Sequence, residues 1–282
     1  MSEWPHSDDR QANLPHQRGA GDRAGLVHCL VDGDAHAMSA IQHSEQSARR
    51  MARLAGLSYL IYTLAGLYIT FGPLPGLSTL LSGEAPPERD EFLFRTGFLA
   101  EMVMYIFVVV SAAAMYAVLR SVSQGTAMVG AFCRLIEGAM GATFIVFKYA
   151  AFAAVVNPDL SPGFSGEERS ALVTLLRDVY GSTIYLLLIP MAVGGVLYFA
   201  LFFRARFIPR WLAAWGVLTY FVIGTLAGVI ILFPSVREHV MLFFIPGALF
   251  EWVVAFWLLF AGINTRHWWG KSSGATEGAT AP

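Results

Sequence analysis

Past residue 50 the chain is a succession of long apolar runs separated by short polar breaks. A helix that crosses a bilayer needs about 20 predominantly apolar residues. Six stretches reach that length: 54–72, 98–119, 128–156, 179–203, 211–233 and 240–263. The runs are continuous and rich in Leu, Ala and Gly, without the alternation of a barrel strand. Turn residues close them. Gly72-Pro73-Leu74-Pro75-Gly76 follows the first run, Asn157-Pro158-Asp159 the third and Phe233-Pro234-Ser235 the fifth. Proline there removes a backbone donor and clashes with the preceding turn, so the helix stops. The pattern predicts an all-α polytopic transmembrane bundle of six spanning helices over residues 51–265.

The flanks differ in kind. Residues 1–50 hold no apolar run longer than a few positions and read as a disordered cytoplasmic tail, and 266–282 read as a second one. No apolar core of a signal peptide follows Met1. Met38 and Met51 are alternative start positions, because the whole membrane pattern lies beyond either. His6, His16, His28, His36 and His43 fall in the N-terminal stretch, but their irregular spacing without cysteine support points to a plain tail rather than a metal site.

Composition sharpens the choice of solvent. Hydrophobic residues make up 56% of the 282 positions and charged ones 14%, against about 25% charged in an average soluble domain. Such a chain has too few polar groups to cover a water-facing surface. A net charge of −1 offers no basic field for nucleic acid. Two cysteines, Cys29 and Cys133, support neither a disulfide scaffold nor a cysteine-based zinc site.

Loop charges set an orientation, because Lys and Arg accumulate on the cytoplasmic side. Arg49, Arg50, Arg53, Arg120, Arg204, Arg206, Arg210, Arg266 and Lys271 fall on one side. Arg89, Arg95, Arg169, Arg177 and Arg237 fall on the other, among acids such as Glu84, Asp90, Glu167 and Glu168. The alternation predicts that both termini are cytoplasmic.

Several local motifs occur in a recognisable order. Arg53-Leu-Ala-Gly-Leu-Ser-Tyr59 opens the first span, and Phe94-Arg95-Thr96-Gly97-Phe98 with Glu101 opens the second. Phe132-Cys133-Arg134-Leu135-Ile136-Glu137 lies in the third, and Phe207-Ile208-Pro209-Arg210-Trp211-Leu212 precedes the fifth. Glu251 and Trp257-Leu258-Leu259 run toward Gly262 in the sixth. Over roughly residues 50–263 this order resembles the DUF4386 family, bacterial integral membrane proteins of unknown function. The resemblance implies a six- or seven-helix membrane protein, in the bacterial cytoplasmic membrane, and carries no activity with it.

Five ionisable side chains interrupt the spans: Glu101, Arg134, Glu137, Lys148 and Glu251. A charge near the bilayer centre costs about 2.5 kcal/mol or more, so these groups are expected to face the bundle interior and one another. Lys148 lies about 12 Å below the outer end of its span, at a rise of 1.5 Å per residue, within reach of Glu101. Arg134 and Glu137 are three apart and share a helix face. Glu251 stands near the same level, and Arg134 is expected to bridge the two acids. Three carboxylates against two cations leave one acid over, and Glu137 or Glu251 is expected to keep its proton, since desolvation disfavours the charged form. Such a cluster either exchanges a proton or cation or is an ionic lock that sets helix register.

Pro190 falls mid-span ahead of Gly194-Gly195, and Pro246-Gly247 precedes Glu251. Both prolines are expected as helix breaks, either lining a cavity or kinking for packing. Gly224 and Gly228 permit a close helix contact within the monomer or across a dimer face. Trp211, Trp215, Trp268 and Trp269 sit where an interfacial belt is expected, and Tyr59, Tyr62 and Tyr68 read as packing. Absent motifs matter too. No histidine lies in a span, which argues against haem, metal and histidine-base chemistry, and no phosphate loop or nucleophile elbow occurs. The expectation is therefore a protein without cofactor or metal, embedded in lipid, that takes part in transport or binds a small hydrophobic ligand, a proton or a cation. The alternative is an intramembrane enzyme acting on a lipid or isoprenoid, with Glu137 and Glu251 as acid and base and Arg134 on an anionic head. Substrate and oligomeric state are not written in these motifs.

Overall fold

The computed structural model describes residues 21–71, 88–157, 159 and 163–264. His6, His16 and the expected C-terminal tail lie outside them. Seven α-helices occur among the described residues: α1 (Gly21–Phe71), α2 (Glu88–Leu119), α3 (Gln124–Val156), α4 (Gly166–Ala205), α5 (Arg210–Leu232), the single turn α6 (Arg237–Val240) and α7 (Ile245–Phe256). No strand occurs among them. Each of the six expected runs coincides, to within two residues at its ends, with part or all of a helical stretch long and apolar enough to cross a membrane.

Helix ends explain themselves locally. No proline falls between Pro15 and Pro73, and α1 uses that window from Gly21, where a tail was expected. The chain divides between Gln46 and Ser47 into two units, and the bundle is the second. At the start of α4, Ser165 accepts a hydrogen bond from the Glu168 amide and the Glu168 carboxylate accepts one from the Ser165 amide. This reciprocal cap starts the helix thirteen residues ahead of the apolar run, so Arg169 and Arg177 ride on helix rather than loop. Arg206, at φ 57°, ends α4 in the left-handed region that normally favours glycine.

The two prolines correct the expected breaks. α4 runs unbroken through Pro190. Pro246 stands in the first turn of α7, where a missing N–H leaves no hydrogen bond unmade. Short 3₁₀ turns over Pro234–Val236 and Met241–Phe244 lead into α7, and a π-turn over Trp257–Ala261 completes the sixth span.

α4 is the central helix, packed on α3 and on α5, while α3 also packs on α2 and α5 on α7. The main core gathers Tyr59, Met115, Tyr198, Phe199, Phe202, Leu212, Tyr220 and Phe250. Two close approaches decide the packing of outer helices. A Cβ on Gly56 of α1 would stand 2.6 Å from the Leu259 amide nitrogen and 2.8 Å from the Ala255 carbonyl oxygen, so α1 meets the last span backbone to backbone. A Cβ on Gly224 would stand 2.7 Å from that of Ala192, which places this glycine in the α4–α5 contact inside the monomer.

Outward faces carry Leu99, Leu232 and Phe260 at 67%, 73% and 74% exposure. No span buries more than 44% of its apolar window within the protein. In water these faces would associate, and hydrocarbon is the solvent that accommodates them. The molecule is a multi-pass membrane protein.

Candidate functional site

Two polar clusters occur inside the bundle. The first begins on α3, where Arg134 and Glu137 project from one face. Their side chains are 2% and 5% exposed, and Arg134 Nη1 lies 2.8 Å from Glu137 Oε2. The contact is ionic rather than an aligned hydrogen bond. Gly194 of α4 makes room for it: a Cβ there would stand 2.9 Å from the Gly130 carbonyl and 3.0 Å from Arg134 Cγ. The guanidinium lies over the ring of Tyr62 on α1, 5.9 Å from its centroid. Tyr62 then donates a long hydrogen bond of 3.5 Å to Glu251 Oε1 on α7, and Tyr220 of α5 donates to the same oxygen at 3.3 Å. The hydroxyls of Tyr59 and Tyr220 are 3.2 Å apart.

This arrangement changes the expected bridge. Among the described residues Arg134 pairs with Glu137 alone and makes no ion-pair contact with Glu251. The cation meets an aromatic face, and neutral hydroxyls carry the chain on to the second acid. Glu251 is the acid left without a cation contact, and two tyrosine donors take the place of the missing charge. Such donors lower the cost of placing a carboxyl in a low-dielectric interior.

The second cluster joins three helices. Glu101 of α2, 1% exposed, accepts from Lys148 Nζ of α3 at 2.8 Å through one oxygen and from the Tyr180 hydroxyl of α4 through the other. Lys148 and Glu101 thus meet across neighbouring helices. The ammonium also lies 5.2 Å from the Tyr180 ring centroid and 5.7 Å from that of Phe98. Here burial of the acid is complete, but Lys148 keeps 22% exposure because it lines a cleft.

That cleft has a volume of about 680 Å³. Phe94, Phe98 and Phe152 form its apolar wall, with Lys148, Tyr180 and the ion-paired Arg177 and Asp178 among its polar groups. Phe152 stands 5.7 Å from Phe94 and 5.5 Å from Phe98, so the wall is a continuous aromatic surface. Arg237 joins the cleft from α6. Among the described residues no group of His, Cys, Asp and Glu is arranged to hold a metal ion.

Tyr62, Tyr180 and Tyr220 are the site residues that sequence reasoning missed. The available signal was the excess acid itself: a buried carboxyl without a cation requires donors, and a tyrosine buried in an apolar span requires an acceptor.

The family model described as a domain of unknown function (DUF4386) matches residues 54–262. Neither a curated protein nor a solved structure matches the chain. The match runs from the first span, through both clusters, to the glycine that ends the π-turn. The chain therefore belongs to the DUF4386 family.

Proposed function

We propose that the protein binds a small hydrophobic or amphiphilic molecule in the aromatic cleft at Lys148, in the bacterial cytoplasmic membrane with both termini cytoplasmic. The observation that carries this reading is a cleft of ligand size, about 680 Å³, whose apolar wall converges on one lysine held from below by a buried carboxylate. Ligand sites are mostly apolar concavities of some 300–1,000 Å³ with a few fixed polar groups. Glu101 and Tyr180 fix the Lys148 ammonium, so ordering it on binding costs little side-chain entropy. The inner Arg134–Glu137 pair suits a register lock, being closed from solvent and filled to contact. An acid–base enzyme built on Glu137 and Glu251 draws less support, because Glu137 is occupied by Arg134.

Gly181 supplies the test. It lines the cleft, and a Cβ there meets nothing within 4 Å, so a larger side chain fills the space without a clash at its root. Wild-type protein in phosphatidylcholine nanodiscs is cross-linked with a diazirine-bearing C16 fatty acid and the adducts are mapped by mass spectrometry. Adducts at Phe94, Phe98 or Phe152 that disappear in Gly181→Phe are expected. Labelling spread over lipid-facing residues, unchanged by the variant, would refute the reading.

A further inference from the structure

A second cleft lies at the opposite end of the bundle, where α4 passes to α5. Its volume is about 560 Å³. Three arginines from three segments line it: Arg49 of α1, Arg206 of the α4–α5 link and Arg210 at the start of α5. All three are exposed, and among the described residues none makes an ion pair with an acid. The floor is built. The Asn264 amide donates to the Phe207 carbonyl at 2.8 Å, which ties the end of the last span to the α4–α5 link beneath the arginines. We propose that this cleft holds the phosphate of an anionic phospholipid.

Several independent features support an anion there. Three arginines with no acid partner among the described residues line one concavity, the Arg210 guanidinium resting 4.9 Å from the Phe203 ring centroid, and guanidinium forks match phosphate oxygens in pairs. Arg206 holds a left-handed backbone, φ 57°, that an arginine adopts at a cost and that glycine would adopt freely. The α5 helix begins with Pro209 as its cap, with no side-chain cap and no acid in the first turn. Its free amides add a weaker attraction of the same sign.

The surroundings choose lipid over free phosphate. Trp257 lines the cleft, and Trp211 lies 6.4 Å from it, ring centroid to ring centroid, with 57% of its surface exposed. Tryptophan pairs of this kind sit at the headgroup level. Phe260 continues the outward face at 74% exposure, a surface on which an acyl chain can lie. Basic pockets between spanning helices commonly take anionic headgroups. The site shares no residue with the cleft at Lys148 and stands or falls apart from it.

Native mass spectrometry of the full chain, released from detergent with phosphatidylglycerol or phosphatidylcholine of matched acyl chains, tests the assignment. Wild-type protein is expected to take phosphatidylglycerol about 125-fold more tightly, at about fivefold for each of the three arginines. Arg206→Gln with Arg210→Gln lowers that preference about 25-fold. Arg49→Gln, an exposed change on a different helix that leaves the link intact, lowers it about fivefold and serves where the double variant does not fold. Arg204→Gln removes an equal charge outside the cleft and leaves the preference unchanged. A loss of about fivefold in Arg204→Gln, or a preference that the double variant leaves unchanged, overturns the site. Displacement of the lipid by 10 mM inorganic phosphate overturns the assignment to lipid.

Discussion

Removing the Glu137 carboxylate is the sharpest perturbation the bundle offers. Glu137→Leu leaves Arg134 at 2% exposure without the one ion-pair partner it has among the described residues. Its stem packs on Gly194, where a Cβ would stand 3.0 Å from Arg134 Cγ, and its guanidinium lies over the buried Tyr62 ring, so the stranded charge stays in the apolar interior. Breaking a buried pair on one side costs about 3–5 kcal/mol, or two to four powers of ten in the folding equilibrium. Arg134→Met in the same background removes the stranded charge while keeping an unbranched chain against Gly194. The double variant is therefore expected within about 2 kcal/mol of wild type, since replacing both members of a buried pair is often neutral. Denaturant unfolding in a fixed mixed micelle, followed by tryptophan fluorescence, gives all four corners of the cycle. A coupling energy of several kcal/mol is expected. A Glu137→Leu variant within 1 kcal/mol of wild type would refute the lock, and would imply that Arg134 moves to Glu251 through Tyr62.

Two further outcomes follow from separate features. Gly56→Ala places a methyl against the Leu259 and Ala255 backbone, which cannot yield as a side chain would, and is expected to lower stability by about 1–3 kcal/mol in the same unfolding assay; a neutral result would mean that α1 sits farther from the last span. With both native cysteines replaced, Gly163→Cys on the exposed link before α4 is expected to react with an impermeant maleimide added outside intact cells, while Ser121→Cys after α2 reacts only after lysis; the reverse pattern would invert the orientation.

The positive-side count and the six spans were readable from order alone because both are sums over neighbouring residues. Hydropathy over some twenty positions decides the solvent whatever the helices do later, and each span appears where its run lies. The five embedded charges were also legible as a group that must find partners. Their exact pairing was not. A residue's neighbour across a bundle depends on how each helix is rotated, and one position turns a side chain by about 100°. Arg134 pairs with Glu137, which spacing alone suggested, yet its reach to Glu251 is replaced by the face of Tyr62.

Helix limits divide in the same way. Pro190 looked like a break because proline removes a hydrogen bond, but α4 continues through it; packing on α3 and α5 holds the turns on either side. Order along the chain determined that this protein lives in lipid, has six crossings and carries a small surplus of buried acid. Tertiary structure alone decided which acid is left over, that two tyrosines from different helices hold it, and that Arg49 shares one cleft with Arg206 and Arg210, far along the chain. Solvent preference is additive along a sequence, whereas contact between distant side chains depends on the rotation, tilt and close approach of every helix at once.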